Sequence, residues 1–431
     1  MRNFRATQNL LAVSAAAKEI AINTEQTLDL SLLVDQGDIL DLERRRENNQ
    51  NEMTGQEEPD TVYDLGNKST GKLTFNKAQP QHFAFIMGYG LGSVATAAAG
   101  SLGKQHTITP IANDLDIARS NPSFTAAMRY GDQVLKRRFA SMFVDSFTAN
   151  FKKDDWCTIS AALKGTGKVT SNIVEESISA LPTVTTLTLA TNGVHGATAG
   201  IRLDNIQSIK AELATGVWTE VAFSAVSAAT PAIITIVACP IVAPGAGIVP
   251  CIYKVLYIPT ETGWMSFPSR VAETPLRVAQ CSLNIGGAWS GTAFAGGRTL
   301  TTEVSSIEWT CNNGLEIDFT LGATGAYAGR CFRPQRTQTL KVNREFRDYI
   351  MQQQIANNDT FGVHLLALGS EYETGHNYQV EIIWPKCSIL NAPLSVDGKK
   401  LAEAGELVVL QDGTYGSVIA RVKNLQTAYV V

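Results

Sequence analysis

The sequence predicts a mainly β protein with flanking helices, a duplicated main domain and an additional small β-domain. Three observations predict it. Runs rich in β-branched and aromatic residues recur between Gly, Pro, Asn and Asp turns along the chain. Only two segments carry the i, i+3, i+4 apolar spacing of a helix packed on a sheet. One strand–Asn–helix pattern occurs twice.

The length of 431 residues implies roughly two to four domains of about 100–200 residues each. Hydrophobic residues make up 44% and charged residues 18%, with a formal net charge of -4. The charged share lies below the roughly 25% usual for soluble chains, which excludes disorder over the whole chain. Lys+Arg (36) is fewer than Asp+Glu (40), which excludes nucleic-acid binding driven by net basic charge. Little charge with much Ala, Thr and Gly suits a surface covered by permanent assembly.

Residues 1–24 read as an N-terminal arm. Arg2 and Arg5 before an apolar run look superficially like a secretion signal, but Thr7, Gln8 and Asn9 interrupt it and Lys18-Glu19 follows at once. Residues 25–180 form a first region, opening with the strand TLDLSLLV. The segment DLERRRENNQNEMTGQEEPD (41–60) has almost no apolar content, so it is expected to be a long exposed loop. Strand TGKLTF (70–75) comes next, with Asn76 as helix cap, Pro80 in the first turn, and Phe83, Ile86 and Met87 as the apolar face. HTIT (106–109), SFTAAMR (123–129) and FASMFVDSFTANF (139–151) read as strands. Phe139, Phe143, Phe147 and Phe151 also fit a helix, but Ser146 and Asn150 at the i+3 positions favour a strand with aromatics on one face. A turn at 152–155 leads to the hairpin partner WCTISAALKG.

Residues 181–272 alternate short β-type runs with turns about every 10 residues, the mark of a small intervening sandwich or barrel. No residue from Val221 to Tyr253 is charged, which raises a membrane span. Pro231, Pro240, Pro244 and Pro250 break the run below the roughly 20 residues a spanning helix needs, so buried strands are expected. Residues 273–431 return to strands, with one helix capped by Asn343 and faced by Phe346, Tyr349 and Ile350. TGKLTFNK (70–77) and TQTLKVNR (337–344) align without gaps: Thr70, Leu73 and Asn76 match Thr337, Leu340 and Asn343. This echo carries the expectation of duplication.

Candidates for chemistry are few. KGTGKVTS (164–171) lacks the first glycine and the Ser/Thr after Lys168 that a phosphate-binding loop needs, and reads as a β-turn. GYGLG (88–92) reads as a helix end. His82, His106, His195, His364 and His376 show no metal-ligand spacing. GGAWSGTAFAGGR (286–298) could hold a sugar, but reads better as a glycine-rich loop against a neighbouring subunit. The seven cysteines include no CxxC and read as buried thiols, Cys239 and Cys251 being the pair best placed for oxidation.

EEPDTVYDLGNKSTGKLTFNKAQPQHFAFIMGYGLGSVATAAAG and HTITP carry a family resemblance. They combine an acidic Glu-Glu-Pro-Asp loop, a Ser-x-Gly-x-Leu strand, a helix ending in Leu-Gly and a His-Thr-x-Thr-Pro strand. With TQTLKVNREFRDYI, GSEYETGH, VEIIWPKCSIL, ELVVL and VIARVKN, the sequence resembles tail tube proteins (major tail proteins) of long-tailed bacteriophages over most of 19–180 and 273–431. The resemblance implies a structural protein with no enzymatic activity, metal or cofactor. Its β-sandwiches join edge to edge into a ring lined by a continuous β-barrel. Rings stack through a long loop, for which Arg44, Arg45, Arg46, Glu47, Glu52, Glu57 and Glu58 are the inter-ring docking candidates. Implied partners are further copies of the chain, a tape-measure protein, tail terminator and tip proteins, and DNA passing the lumen without specific binding. The implied location is the virion tail, assembled in the host cytoplasm, with no membrane. If the two flanking regions are each a tube domain, three chains make a pseudo-hexameric ring; if they are halves of one domain, six chains do. The region 181–272 then decorates the exterior. The alternative is a virion adhesin or decoration protein that binds host surface or glycan through 181–272.

Overall fold

Strands occupy 55% of the chain and helices 9%, so the protein is mainly β. The structure is a computed structural model describing residues 5–53, 57–111, 121–131, 135–214, 216–237, 251–300, 302–320 and 326–431. The chain forms two compact units. The larger comprises Leu11–Ala126, Phe139–Val169 and Pro268–Val431; the smaller comprises Met1–Leu10, Ala127–Arg138 and Thr170–Phe267. The boundaries after residues 10, 126, 138 and 169 fall inside strands, where sequence offers no linker signal, whereas the last falls between elements at Phe267-Pro268.

In chain order, β1 (Leu10–Val13) pairs with β2 (Leu30–Leu32). Next, β3 (Leu40–Asn48) and β4 (Val62–Phe75) pair antiparallel. Of the region expected to be a loop, 41–60, residues 41–48 therefore form one arm of a hairpin, while the described residues 49–53 and 57–60 are the connection, exposed apart from Asn49. The Arg and Glu side chains of that arm hid the strand, because both faces of the ribbon are exposed and no apolar alternation marks it. Helix α1 (Pro80–Leu91) is buried on every side. Its first turn is closed by Gln79 and His82, with Pro80 at the first helical position. Asn76 is not the cap; its amide donates to Asp35 at 2.7 Å. Gly92 ends the helix at φ +99°, where a Cβ would meet Ile111 at 2.5 Å. Then come β5 (Gly92–Ala99), β6 (Gly103–Pro110), β7 (Phe124–Tyr130), β8 (Leu135–Lys152), β9 (Thr158–Gly165) and β10 (Val169–Ser171). Phe139, Phe143, Phe147 and Phe151 are all buried in β8, a strand as the pattern predicted.

In the smaller unit, β11 (Val174–Ala180), β13 (Ile206–Ala214), β14 (Val217–Glu220) and β17 (Cys251–Tyr257) form a sheet in the order β11–β17–β13–β14. A second sheet has the order β12–β16–β15, from β12 (Thr186–Thr188), β15 (Phe223–Val226) and β16 (Ile233–Ile236). Helix α2 (Ala199–Asp204) lies between β12 and β13 in sequence. Leu187, Ile209, Ile234, Tyr253, Val255 and Tyr257 share one buried core. Cys251 is partly exposed; Cys239, its expected partner, and Pro240, Pro244 and Pro250 lie outside the described residues. No described helix is long and apolar enough to cross a membrane.

The larger unit resumes with β18 (Cys281–Trp289), β19 (Phe294–Leu300), β20 (Val304–Asn312), β21 (Glu316–Asp318), β22 (Arg330–Phe332) and β23 (Thr337–Glu345). Helix α3 (Ile350–Asn357) follows. The last strands are β24 (Phe361–Glu373), β25 (His376–Asn391), β26 (Leu394–Asp397), β27 (Lys400–Val409) and β28 (Ile419–Asn424). Asn343 is not a helix cap: β23 runs through it, and its amide donates to Ser306 Oγ at 2.8 Å. Phe346 and Tyr349 precede α3 and pack on each other at 5.4 Å between ring centroids. The glycine-rich 286–298 is no loop; β18 and β19 pair through it, Gly287 opposite Gly296.

One ladder runs β3–β4–β9–β8–β20–β23–β27–β25, every pair antiparallel. A buried row crosses it in register: Phe75, Ile159, Ala149, Trp309, Leu340, Leu407 and Ile389. At roughly 25 cal/mol per Å² of apolar surface, such rows are the main favourable term holding the sheet. A second ladder, β5–β6–β28–β25–β24–β18–β19, shares β25 with the first. Helix α1 packs on β5, β6, β9, β25 and β28.

A pairing pattern recurs within this unit. β1 pairs with β2 and β7; β18 pairs with β19 and β24. The run β3–β4–β9–β8 has the same strand order as β20–β23–β27–β25, with a helix after the second strand in each. The aligned segments 70–77 and 337–344 fall on the second strand of each run, the first overrunning the end of β4 at Asn76 and the second lying inside β23. The two runs are joined edge to edge by β8 and β20, Ser146–Lys152 opposite Asn312–Ser306.

Candidate assembly surface

The β3–β4 hairpin extends past the buried part of the sheet. Arg44 lies opposite Asn67, Arg46 opposite Asp64 and Glu47 opposite Tyr63, with a bulge between Arg44 and Arg46. Arg44, Arg45, Arg46, Glu47, Glu52, Glu57 and Glu58 are all exposed. The bulge twists the ribbon, and alternating charge suits an exposed strand that must not pair indiscriminately. Asn49 knits the far end: its Nδ2 donates to Asp60 at 2.6 Å, and its Oδ1 accepts from the N–H groups of Asp60 and Thr61. The Asn49 and Thr61 donors hold the Asp60 carboxyl below its usual range. Tyr63 donates its hydroxyl to Glu52 at 2.8 Å, which pushes the phenol up. The Arg45 guanidinium sits 5.2 Å from the Phe319 ring centroid. The structure thus brings Arg44 to Glu47 together on β3 and ties Glu52 across to β4.

Sequence reasoning missed a second projection, β21–β22, inserted between β20 and β23 as the charged arm is between β3 and β4. It packs beside the arm: Asn67 N–H donates to Ala326 O at 2.9 Å and Lys68 Nζ to Ile317 O at 3.0 Å. Leu315, Ile317, Ala328 and Cys331 close over Phe143. No apolar period marks β21 or β22, because each has three residues.

The face of the long ladder opposite the buried row is uncharged along its centre. Thr74, Ser160, Thr148, Thr310, Thr339, Val408 and Ser388 follow one another in register, all half-buried. The next row mixes signs: Asn150, Glu308, Lys341 and Glu406. These two rows, of hydroxyls and of one lysine against two glutamates, form no basic stripe of the kind that grips a phosphate backbone.

The ends of the ladder are apolar where they are exposed. At one end β26 has β27 as its only ladder partner among the described residues. Leu390, Leu394, Val396 and Leu401 there are 63%, 50%, 72% and 52% exposed. At the other end, ahead of β3, Leu33 and Ile39 are exposed. Exposed edge strands with apolar side chains are ordinarily covered or blocked.

The residues that sequence singled out for chemistry are dispersed. His82 is wholly buried at the start of α1, where desolvation lowers its pKa to about 3. His364 bonds Glu381 at 2.9 Å. Residues 164–171 do not make the expected turn but continue from β9 to β10 along β8, with Ala140 N–H donating to Lys168 O at 3.0 Å and Gly167 at φ +89°, and Arg298 pairs with Asp348 at 2.5 Å. Among the described residues no group of His, Cys, Asp and Glu could hold a metal ion.

No protein-family model matches the sequence, and no curated protein matches it. The fold and surface define a mainly β protein with an extended antiparallel sheet, exposed apolar edges and a charged hairpin arm.

Proposed function

We propose that this chain is a structural virion protein that polymerises into stacked rings forming the tail tube of a bacteriophage, a conduit for DNA ejection. The observation that carries this reading is the β8–β20 join. Two strand runs of the same order are already fused edge to edge inside one chain, so the sheet grows by adding copies of a unit. The sequence resemblance to tail tube proteins supports it independently. On this reading each chain carries a duplicated tube domain, and three chains make a pseudo-hexameric ring. Three eight-stranded ladders close a barrel wider than the roughly 22-stranded ones that hold a plug. The Thr/Ser face lines the lumen, where a wall without basic stripes lets DNA slide. The hairpin arm docks on the next ring through Arg44–Glu47, Glu52, Glu57 and Glu58. Residues 181–272 are the exterior decoration on this reading. Tape-measure, terminator and tip proteins are the expected partners.

Electron microscopy of the purified full-length protein tests the reading. Stacked rings with a central pore are expected; a stable monomer at high concentration discards it.

A further inference from the structure

Two cysteines 124 residues apart in the chain meet in the larger unit, where their sulfurs lie 3.8 Å from each other: Cys157 and Cys281. We infer that this pair is an oxidation site. It closes to a disulfide in the presence of a low-molecular-weight disulfide such as oxidised glutathione, and the bond fastens the two ladders together.

The contact is built into the fold. Cys157 immediately precedes β9, a strand of the first ladder, and Cys281 opens β18, a strand of the second. A backbone strap holds the two places together. Cys157 N–H donates to Leu276 O at 2.9 Å, and Val278 N–H donates to Asp155 O at 3.1 Å. Between these bonds Trp156 bridges to Arg277, whose guanidinium stands 4.8 Å from the Trp156 ring centroid. Leu276 N–H is tied in turn to Ala78 O at 3.0 Å. The ordering that a cross-link requires is thus largely in place before any bond forms. Disulfide sulfurs stand about 2.05 Å apart, so closure asks the two atoms to approach by about 2 Å.

The thiols differ in access. Cys157 is fully buried, while Cys281 is partly exposed. Cys281 also lines a cavity of about 420 Å³ whose walls include Lys153, Ser282, Thr302 and Ser305. One ammonium and three hydroxyls suit the carboxylates and amides of a glutathione-like molecule. Cys281 is therefore the thiol that the oxidant meets first. Its thiolate attacks one sulfur of oxidised glutathione and the S–S bond breaks. The first glutathione leaves as a thiolate and takes up the proton Cys281 lost. Cys157, as thiolate, then attacks the Cys281 sulfur and expels the second glutathione, which takes the Cys157 proton. Two protein thiols are oxidised to one disulfide, and one small disulfide is reduced to two thiols. A chain in a reducing cytoplasm keeps both thiols; the bond forms once the chain meets an oxidising medium.

The test uses the purified full-length protein, incubated with oxidised glutathione, alkylated and mapped by mass spectrometry after proteolysis. A peptide linking Cys157 to Cys281 is expected, with alkylation of both falling about tenfold or more and returning after dithiothreitol. Alkylation of both at the level of the reduced protein overturns the site. So does a glutathione adduct that persists on Cys281 beside a free Cys157. Cys157→Ser should stop at that adduct, and Cys281→Ser should leave Cys157 unmodified; if either variant does not fold, the map of the unsubstituted protein decides. Hydrogen exchange reads the fastening. The amides of Cys157, Leu276 and Val278 should exchange more slowly in the oxidised than in the reduced protein, and equal rates overturn that role. Neither thiol needs a second copy of the chain, so these outcomes are independent of the tube reading.

Discussion

Ala149 of β8 lies directly opposite Trp309 of β20, and both are fully buried. This is the seam between the two strand runs. A small residue on one strand leaves room for the largest side chain on the other, and the Trp309 ring meets Phe147 and Trp384 edge-on at 5.0 and 5.5 Å. Trp309→Ala should cost about 3–5 kcal/mol, the usual range for emptying a large aromatic site. Urea denaturation measures it, and a loss below about 1 kcal/mol would show that the seam repacks freely.

The arm can be shortened without touching the core. Arg44 faces Asn67, so residues 45–66 can be replaced by Asn-Gly, the turn suited to a two-residue hairpin. Single rings should still form, while tubes should not elongate. Tubes of normal length from this variant would refute the docking role of Glu47, Glu52, Glu57 and Glu58.

Arg344 and Glu403 form a buried ion pair at 2.7 Å between β23 and β27, with Gln352 of α3 donating to the same carboxylate at 2.8 Å. Arg344→Met leaves Glu403 uncompensated and should cost about 3–5 kcal/mol. Adding Glu403→Leu should recover a large part of that, because the desolvated charge is gone. A double-mutant cycle reads the coupling; equal costs for the single and double variants would argue against it.

Glu273 is buried, accepts the Gln81 N–H at 2.8 Å, and has its pKa raised to about 7 by desolvation. An acid with a raised folded pKa holds its proton longer in the native state than in the unfolded chain. Its contribution is therefore fully present at low pH and is lost as pH rises from about 4.5 toward 7, with a slope of at most ~1.4 kcal/mol per pH unit. Glu273→Gln should flatten that part of the pH–stability curve. An unchanged slope would mean that another group sets it.

Much of the strand inventory was legible because half-buried strands alternate and buried ones run apolar. The four phenylalanines of β8 and the runs in β23, β25 and β28 are examples. The echo between 70–77 and 337–344 pointed at the recurring order from eight residues. What sequence could not supply was pairing. In the chain β8 and β20 are separated by most of the smaller unit's residues, and nothing local in either strand names the other. The helix caps failed for a related reason: Asn76 and Asn343 are good caps in isolation, but one is held by Asp35 and the other by a strand neighbour. The exposure of the docking candidates was readable from polarity, whereas the strand geometry of Arg44, Arg45, Arg46 and Glu47 was not.

The pairing of β6 with β28 also bears on synthesis. His106 and Asn424, in contact across these strands, are 318 residues apart. A ribosome that has finished β6 must translate β28 before that edge finds its partner, and such distant closure is slow. Until then β6 stays an open template that can recruit a wrong strand. A nascent chain is thus unable to complete its sandwich early, so premature strand capture on crowded polysomes is the hazard this topology must outlast.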